Sequence, residues 1–277
     1  REVDSLSTYK DELLKNKLVT ESDIEKTQAD IDTRLLNAFK KAIDLEISPR
    51  ANLYVPGNLL EATMFSNENI DSLDTSREPE TNGPLAENSR VKMLAKRSRS
   101  GFGQDGENIP KGRCIGIRDA LFEGIVDRFY TDPTLFAYGE ENRDWNGAFA
   151  VYNGLTEALP DHRLFNSPIS EAAIVGTAVG YALEGGRPLV ELMYCDFLGR
   201  AGDEVFNQLA KWQSMSGGLL KMPVVLRVSV GSKYGAQHSQ DWTSLVAHIP
   251  GLKVAFPATP YDAKGLIYSA LRGTDPV

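Results

Sequence analysis

Glu171 stands at the front of the stretch "LFNSPISEAAIVGTAVGYALEGGRP", where an acid meets a helical run of small residues. Two chemistries suit that position. Ser170 reads as an N-cap, and an acid in the first turn meets the positive end of the helix dipole. A carboxyl held at the same place can instead give and take a proton. Two further segments carry chemistry-bearing residues: "MYCDF", from Met193 to Phe197, and "GAQHSQ", around His238. Met193 and Phe197 read equally as core or as apolar walls of a site, and His238 as a satisfied loop histidine or a proton carrier.

The elements that must position these residues follow from periodicity. "TLFAYGE", "RPLVELMY", "PVVLRVSV" and "GLKVAFPA" read as strands, and Ile117–Phe129, Glu171–Leu183, Gly202–Met215, Asp241–Ile249 and Pro260–Leu271 as helices, with Gly185-Gly186 and Gly217-Gly218 as stops. Alternating strand and helix predicts an α/β fold, a parallel sheet flanked by helices on both faces. In such sheets a ligand lies outside the carboxyl ends of the strands, which is where Glu171, the "MYCDF" segment and His238 fall.

Ahead of this region the chain reads differently. Residues 1–65 form a helical segment, with Leu35, Ala38, Phe39 and Ala42 in helical rhythm within short amphipathic helices and Thr20 capping one of them through Asp23. Residues 66–112 mix prolines, glycines and charges without a period and read as a linker, mobile or draped over a surface. The five basic residues from Arg90 to Arg99 belong to it and read as solvated.

Composition sets outer limits. The 277 residues carry a formal net charge of -8, which argues against nucleic-acid or anionic-membrane partners. Cys114 and Cys195 are too few for a disulfide scaffold or a zinc site, so a reducing cytoplasm is expected. No apolar run is long enough for a membrane span, and the opening "REVDSLSTYKDELL" has neither a methionine nor a signal-peptide pattern, as expected of a piece of something longer.

The blocks "YGEENRDWNGAFAVYNGL", "SPISEAAIVGTAVGYALEGGRPLVELMYCDF", "NQLAKWQSMSGG", "GAQHSQ" and "HIPGLKVAFPATPYDAKGLI" occur in this order, and on them residues 113–277 resemble a known family. It is the pyrimidine-binding, transketolase-like domain of the beta subunit of thiamine-diphosphate-dependent 2-oxoacid dehydrogenases. "DSLSTYKDELLKNKLVTESDIEKTQADID" resembles the closing helices of the alpha subunit of the same enzymes, which implies a fused alpha/beta arrangement.

The resemblance implies oxidative decarboxylation of a 2-oxoacid, with the acyl group passed to a lipoyl carrier. Glu171 matches the glutamate that hydrogen-bonds the aminopyrimidine ring nitrogen of thiamine diphosphate and shares a proton with it. Phe197 matches the aromatic that stacks on that ring, and Ile169 and Met193 match side chains that touch it. His238 matches a histidine that assists proton handling near the substrate or the lipoyl group. Main-chain oxygens matching Val224, Ala270, Leu271, Gly273 and Asp275 hold potassium in related beta subunits. The implied partners are an alpha-type diphosphate-binding domain, a lipoyl acyltransferase and further copies in a homo-oligomer, with the small face from Ala172 to Ala182 and "GEENRDWNGAF" at or near an interface.

The chain departs from the family at Ala173, where glycine is usual, at Gly273, which replaces an aspartate, and between Arg227 and His238, where the loop is shorter. "GQDGEN" at 103–108 follows no strand and so is not the magnesium and diphosphate motif. That half of the site is expected upstream or on another chain. Other readings are a transketolase or deoxyxylulose-phosphate synthase domain, and a non-catalytic assembly module of the same fold. An unrelated doubly wound nucleotide binder would need a glycine-rich turn after a strand.

Overall fold

A helix front reaches a ligand crevice only if the strand before it ends there, and the computed structural model shows how this is arranged. It describes residues 4–49, 64–231 and 235–277. The chain divides into two units, Arg1–Gly57 and Asn58–Val277.

The first unit consists of α1 (Ser5–Lys15) and α2 (Glu21–Ile43). Thr20 caps α2 as expected: its hydroxyl accepts from the Asp23 N–H at 3.2 Å, and the Asp23 carboxylate accepts the Thr20 N–H at 2.9 Å. With 23 residues, α2 is one long helix where several short ones were expected. Its apolar side chains Leu35, Phe39 and Ile43 are exposed. The expected boundary at residue 65 adjoins residues 50–63, which lie outside the described residues.

In the second unit, among the described residues, a four-stranded parallel sheet runs in the order β4-β3-β5-β6. Its strands are β3 (Leu135–Glu140), β4 (Leu164–Ser167), β5 (Arg187–Leu192) and β6 (Val225–Val228). Every residue of β5 is buried, as a strand flanked by neighbours and covered on both faces must be. On one face lie α4 (Ile117–Phe129) and α8 (Pro260–Ala270), with Phe122, Ile125, Phe129, Leu135 and Ala137 fully buried between helix and sheet. Gly124 lets the two helices close: a Cβ there would stand 2.6 Å from Ile267 Cγ2. On the other face α5 (Glu171–Leu183) crosses from β4 to β5 and buries Ile174, Val175, Ala178 and Val179.

Several expectations need correction. "LFNS", read as the approach to a helix, is β4, because Leu164 to Ser167 pair in register with Ala137 to Glu140. "GLKVAFPA" is not a strand. Lys253 donates its N–H to Pro276 O at 3.0 Å, but the next residues border a cavity of about 380 Å³ along β6, and among the described residues they pair with no strand. The helix expected over 202–215 is present but carries a π-helical turn (Glu204–Leu209) before α6 (Ala210–Met215), and a 3-10 segment (Cys195–Ala201) precedes it. The helix expected over 241–249 shortens to α7 (Thr243–Ala247).

The stretch 66–112 contains α3 (Ser89–Ala95) and an antiparallel hairpin, β1 (Ser98–Phe102) and β2 (Asn108–Arg113), so "GQDGEN" does follow a strand, contrary to expectation, but an exposed one of a hairpin and not a buried one. Its basic run is not uniformly solvated. Arg90 is buried, donates to Asp119 at 2.9 Å and stacks over Phe122 at 4.1 Å, while Leu94 enters the core. Nearby, Asp275 accepts from the N–H of Ser66 at 2.7 Å and from that of Asn67 at 2.9 Å. Sequence periodicity does not report such pairings, because both partners are polar and far apart along the chain.

Candidate active site

The carboxyl ends of the strands gather most of the residues singled out above. Glu171 is the first residue of α5 and is only 8% exposed. Ser170 occupies the N-cap position, but its hydroxyl makes no capping bond, so the local role expected of it is absent.

Glu140, at the end of β3, was not singled out by the sequence. Burial, then the charges of Glu171 and Glu141, push its carboxyl up to about 7. Its Oε1 is buried and has no partner, and Ser167, opposite it in the β3–β4 register, likewise has a buried hydroxyl without one. Burial and neighbouring negative charge both favour the protonated form of Glu140. The signal available in the sequence was position alone: an acid closing a strand that neighbours β4.

The apolar residues differ in exposure. Ile169 is 80% exposed beside the front of α5, whereas Met193 and Phe197 are half-buried after β5. His238, in the 3-10 turn Ala236–His238, is brought to Phe197, with ring centroids 5.6 Å apart and planes at 75°. Tyr194 meets the same imidazole at 5.0 Å and 71°, and Phe149 meets Tyr194 at 6.4 Å. Neither Tyr194 nor Phe149 was predicted as a site residue. The shortened loop before His238 passes through residues 232–234, outside the described residues.

The loop carrying Phe149 is tightly anchored. Glu191, fully buried, accepts the Ala148 N–H at 2.5 Å and pairs with Arg227, which also donates to the Ala148 carbonyl at 3.2 Å. Four non-glycine residues of this loop, Glu141, Asn146, Phe149 and Ala150, lie in the left-handed region, with φ of 57°, 66°, 59° and 54°. Such backbone costs energy and is held only where surroundings fix it, a pattern that concentrates at functional sites.

These residues fit an aminopyrimidine. One carboxyl is buried at the helix front, a second has a buried oxygen without a partner, and apolar side chains stand at the neighbouring strand ends. The potassium positions fit a cation less well. The Gly273 carbonyl accepts from the Arg187 guanidinium at 2.6 Å, which already brings a positive charge to it. Val224 O accepts the Val277 N–H at 3.0 Å, and Ala270 O the Gly273 N–H at 3.2 Å.

With the strand order, the helix-front acid and the rings around His238 in view, similarity to known proteins places the domain. Residues 114–277 match the family model described as "Transketolase, pyrimidine binding domain", and the chain belongs to that family. It is 44% identical over 177 residues to the beta subunit of acetoin:2,6-dichlorophenolindophenol oxidoreductase from Cupriavidus necator, covering 60% of this chain and 52% of that one. It is 42% identical over 170 residues to the human mitochondrial pyruvate dehydrogenase E1 component subunit beta, covering 61% and 47%. With the corresponding subunit of Rickettsia conorii it shares 41% over 165 residues, covering 59% and 51%. The chain thus spans about half the length of these relatives. A split-gene transketolase, described as an inactive beta4 tetramer, superposes with a TM-score of 0.47 at 20% identity, covering 59% of this chain and 50% of that one.

Proposed function

We propose that this chain supplies the aminopyrimidine half of a thiamine diphosphate site in a 2-oxoacid dehydrogenase, which decarboxylates its substrate oxidatively and passes the acyl group to a lipoyl carrier. The observation that carries the reading is Glu171, buried at the front of α5 and electrostatically coupled to Glu140. When bound, thiamine diphosphate supplies the carbon nucleophile that attacks the 2-oxo group. Glu171 holds a proton at the pyrimidine ring nitrogen, and Glu140 beside it keeps the pair from carrying two full negative charges. Ile169, Met193 and Phe197 wall the ring and exclude water. His238 stands on the far side of Phe197, where it handles a proton near the substrate.

Magnesium and the diphosphate belong to an alpha-type domain, in the same protein or in another subunit. The helical region 1–65, the stretch 66–112 and the domain 113–277 fit a fused alpha/beta arrangement. A cytoplasmic homo-oligomer completes the proposal. Its interface uses the outer face of α5, where Ala173, Thr177 and Gly180 are exposed.

The acetoin oxidoreductase relative favours a second reading of the substrate, an acyloin in place of a 2-oxoacid. One experiment addresses both. The complete protein, loaded with thiamine diphosphate and magnesium, is given pyruvate, branched-chain 2-oxoacids, 2-oxoglutarate and acetoin with an artificial electron acceptor. Carbon dioxide release from an oxoacid supports the first reading, and reduction of the acceptor by acetoin alone supports the second. Silence with all of them leaves the assembly module as the better account.

A further inference from the structure

Four rings form a continuous row at the carboxyl edge of β5 and β6: Phe149, Tyr194, His238 and Phe197, with successive centroid separations of 6.4, 5.0 and 5.6 Å. Every contact in the row is edge-to-face, at 81°, 71° and 75°. This geometry sets the positive edge of one ring against the negative face of the next, so it fixes orientation as well as distance.

The row has one firm end. Phe149 lies in the left-handed region at φ 59°, and the residue before it is tied by both backbone groups to the Glu191–Arg227 pair of β5 and β6. Among the described residues, no side-chain hydrogen bond tethers His238 in the same way. It sits in a three-residue 3-10 turn that follows Gly235 at φ 81°, with no side-chain cap on the turn. The flanking rings of Tyr194 and Phe197 therefore orient the imidazole, and Phe149 holds Tyr194 in turn.

We propose that Tyr194 is a positioning residue: braced by Phe149, it fixes the imidazole of His238 against Phe197 in the orientation used for proton transfer to the substrate or to the carrier. This rests on the functional reading given above. It adds a residue whose ring contacts position the imidazole.

The test is a double-mutant cycle in the complete, cofactor-loaded protein, with kcat and KM read separately using an artificial electron acceptor. Tyr194→Phe keeps the ring and is expected to stay within about twofold of the parent. Tyr194→Leu removes it and is expected to lower kcat about tenfold, in line with loss of an edge-to-face pair and some misorientation, with KM little changed. In a His238→Gln background the Tyr194→Leu loss should vanish, because the group it orients is gone. Phe149→Leu, at a half-exposed position where a folding defect is less of a concern, should show a smaller loss that also vanishes in that background.

Losses that multiply with His238→Gln, or a Tyr194→Leu protein with normal kcat, overturn the proposal. If Tyr194→Leu does not fold, the Phe149→Leu cycle decides alone. The two readings fail separately: normal turnover in Glu171→Gln removes the functional assignment, whereas normal turnover in His238→Gln removes only the brace.

Discussion

Glu140 and Glu171 stand at the end of β3 and the front of α5 close enough that the charge of Glu171, after burial, helps push the Glu140 carboxyl up to about 7. The neighbouring negative charge thus favours the protonated form of Glu140. It also makes the two residues separable by experiment.

Glu171→Gln keeps shape but cannot exchange a proton. In the complete protein, cofactor-saturated turnover is expected to fall by about two orders of magnitude or more, as for loss of a general acid-base group. The melting temperature should move little, since an acid in the first turn contributes at most about 1 kcal/mol. Near-normal turnover would return Glu171 to a purely local role.

For Glu140 the effect is on stability. Its folded value of about 7 lies above the ordinary 4.5, so between these pH values the folded protein binds more protons than the unfolded chain. Stability is therefore lost as pH rises from about 4.5 to about 7 and levels off above. Glu140→Gln should abolish that decline. It should be more stable than the parent at pH 8 by up to about 3 kcal/mol, at about 1.4 kcal/mol per pKa unit, and similar to it at pH 4. Urea unfolding at the two pH values measures the difference, and an equal effect at both would count against the coupling.

Asp275 behaves in the opposite sense. Burial acts to raise it, but hydrogen bonds from Lys253, Gln213 and Ser66 outweigh burial and hold it at about 2, below the ordinary 3.8. Its contribution is present above pH 3.8 and is lost as the pH falls toward 2. Asp275→Asn is expected to cost about 2–3 kcal/mol at pH 7, the scale of a charge-assisted buried hydrogen bond. It should also make the chain near Ser66 more susceptible to proteolysis.

Two glycine substitutions should differ in sign. Gly124→Ala puts a methyl 2.6 Å from Ile267 Cγ2 and 3.2 Å from the Lys264 carbonyl, so it should destabilise by about 1–3 kcal/mol despite better helix propensity. Gly180→Ala meets nothing within 4 Å and should stabilise the isolated 277-residue chain by up to about 1 kcal/mol. If the outer face of α5 packs against another copy, as proposed, the same change should weaken the oligomer in sedimentation. A variant with unchanged assembly would place that interface elsewhere.

What the sequence determined by itself was whatever short-range pattern encodes. The helix Glu171–Leu183 and the strand cores of β3, β5 and β6 were legible because apolar spacing at periods of 3.6 and 2 marks buried faces directly. Thr20 and Asp23 were legible for the same reason, since a capping box closes within three residues. Glu171, Phe197 and His238 were found through a family likeness carried by local blocks.

The tertiary structure decided what depends on partners distant in sequence. "LFNS" is too short to declare itself and became β4 only by pairing with β3, while "GLKVAFPA" has the composition of a strand but faces a cavity where paired backbone would have to lie. Arg90 looked like a solvated charge until Asp119 and Phe122 gave it a buried seat. Glu140 gained its shifted protonation from burial and from Glu171, 31 positions along the chain, and Tyr194 its place beside rings on two other segments, those of Phe149 and His238. Electrostatic coupling and ring packing act through space, so they exist only once the strands have brought those segments to one edge of the sheet.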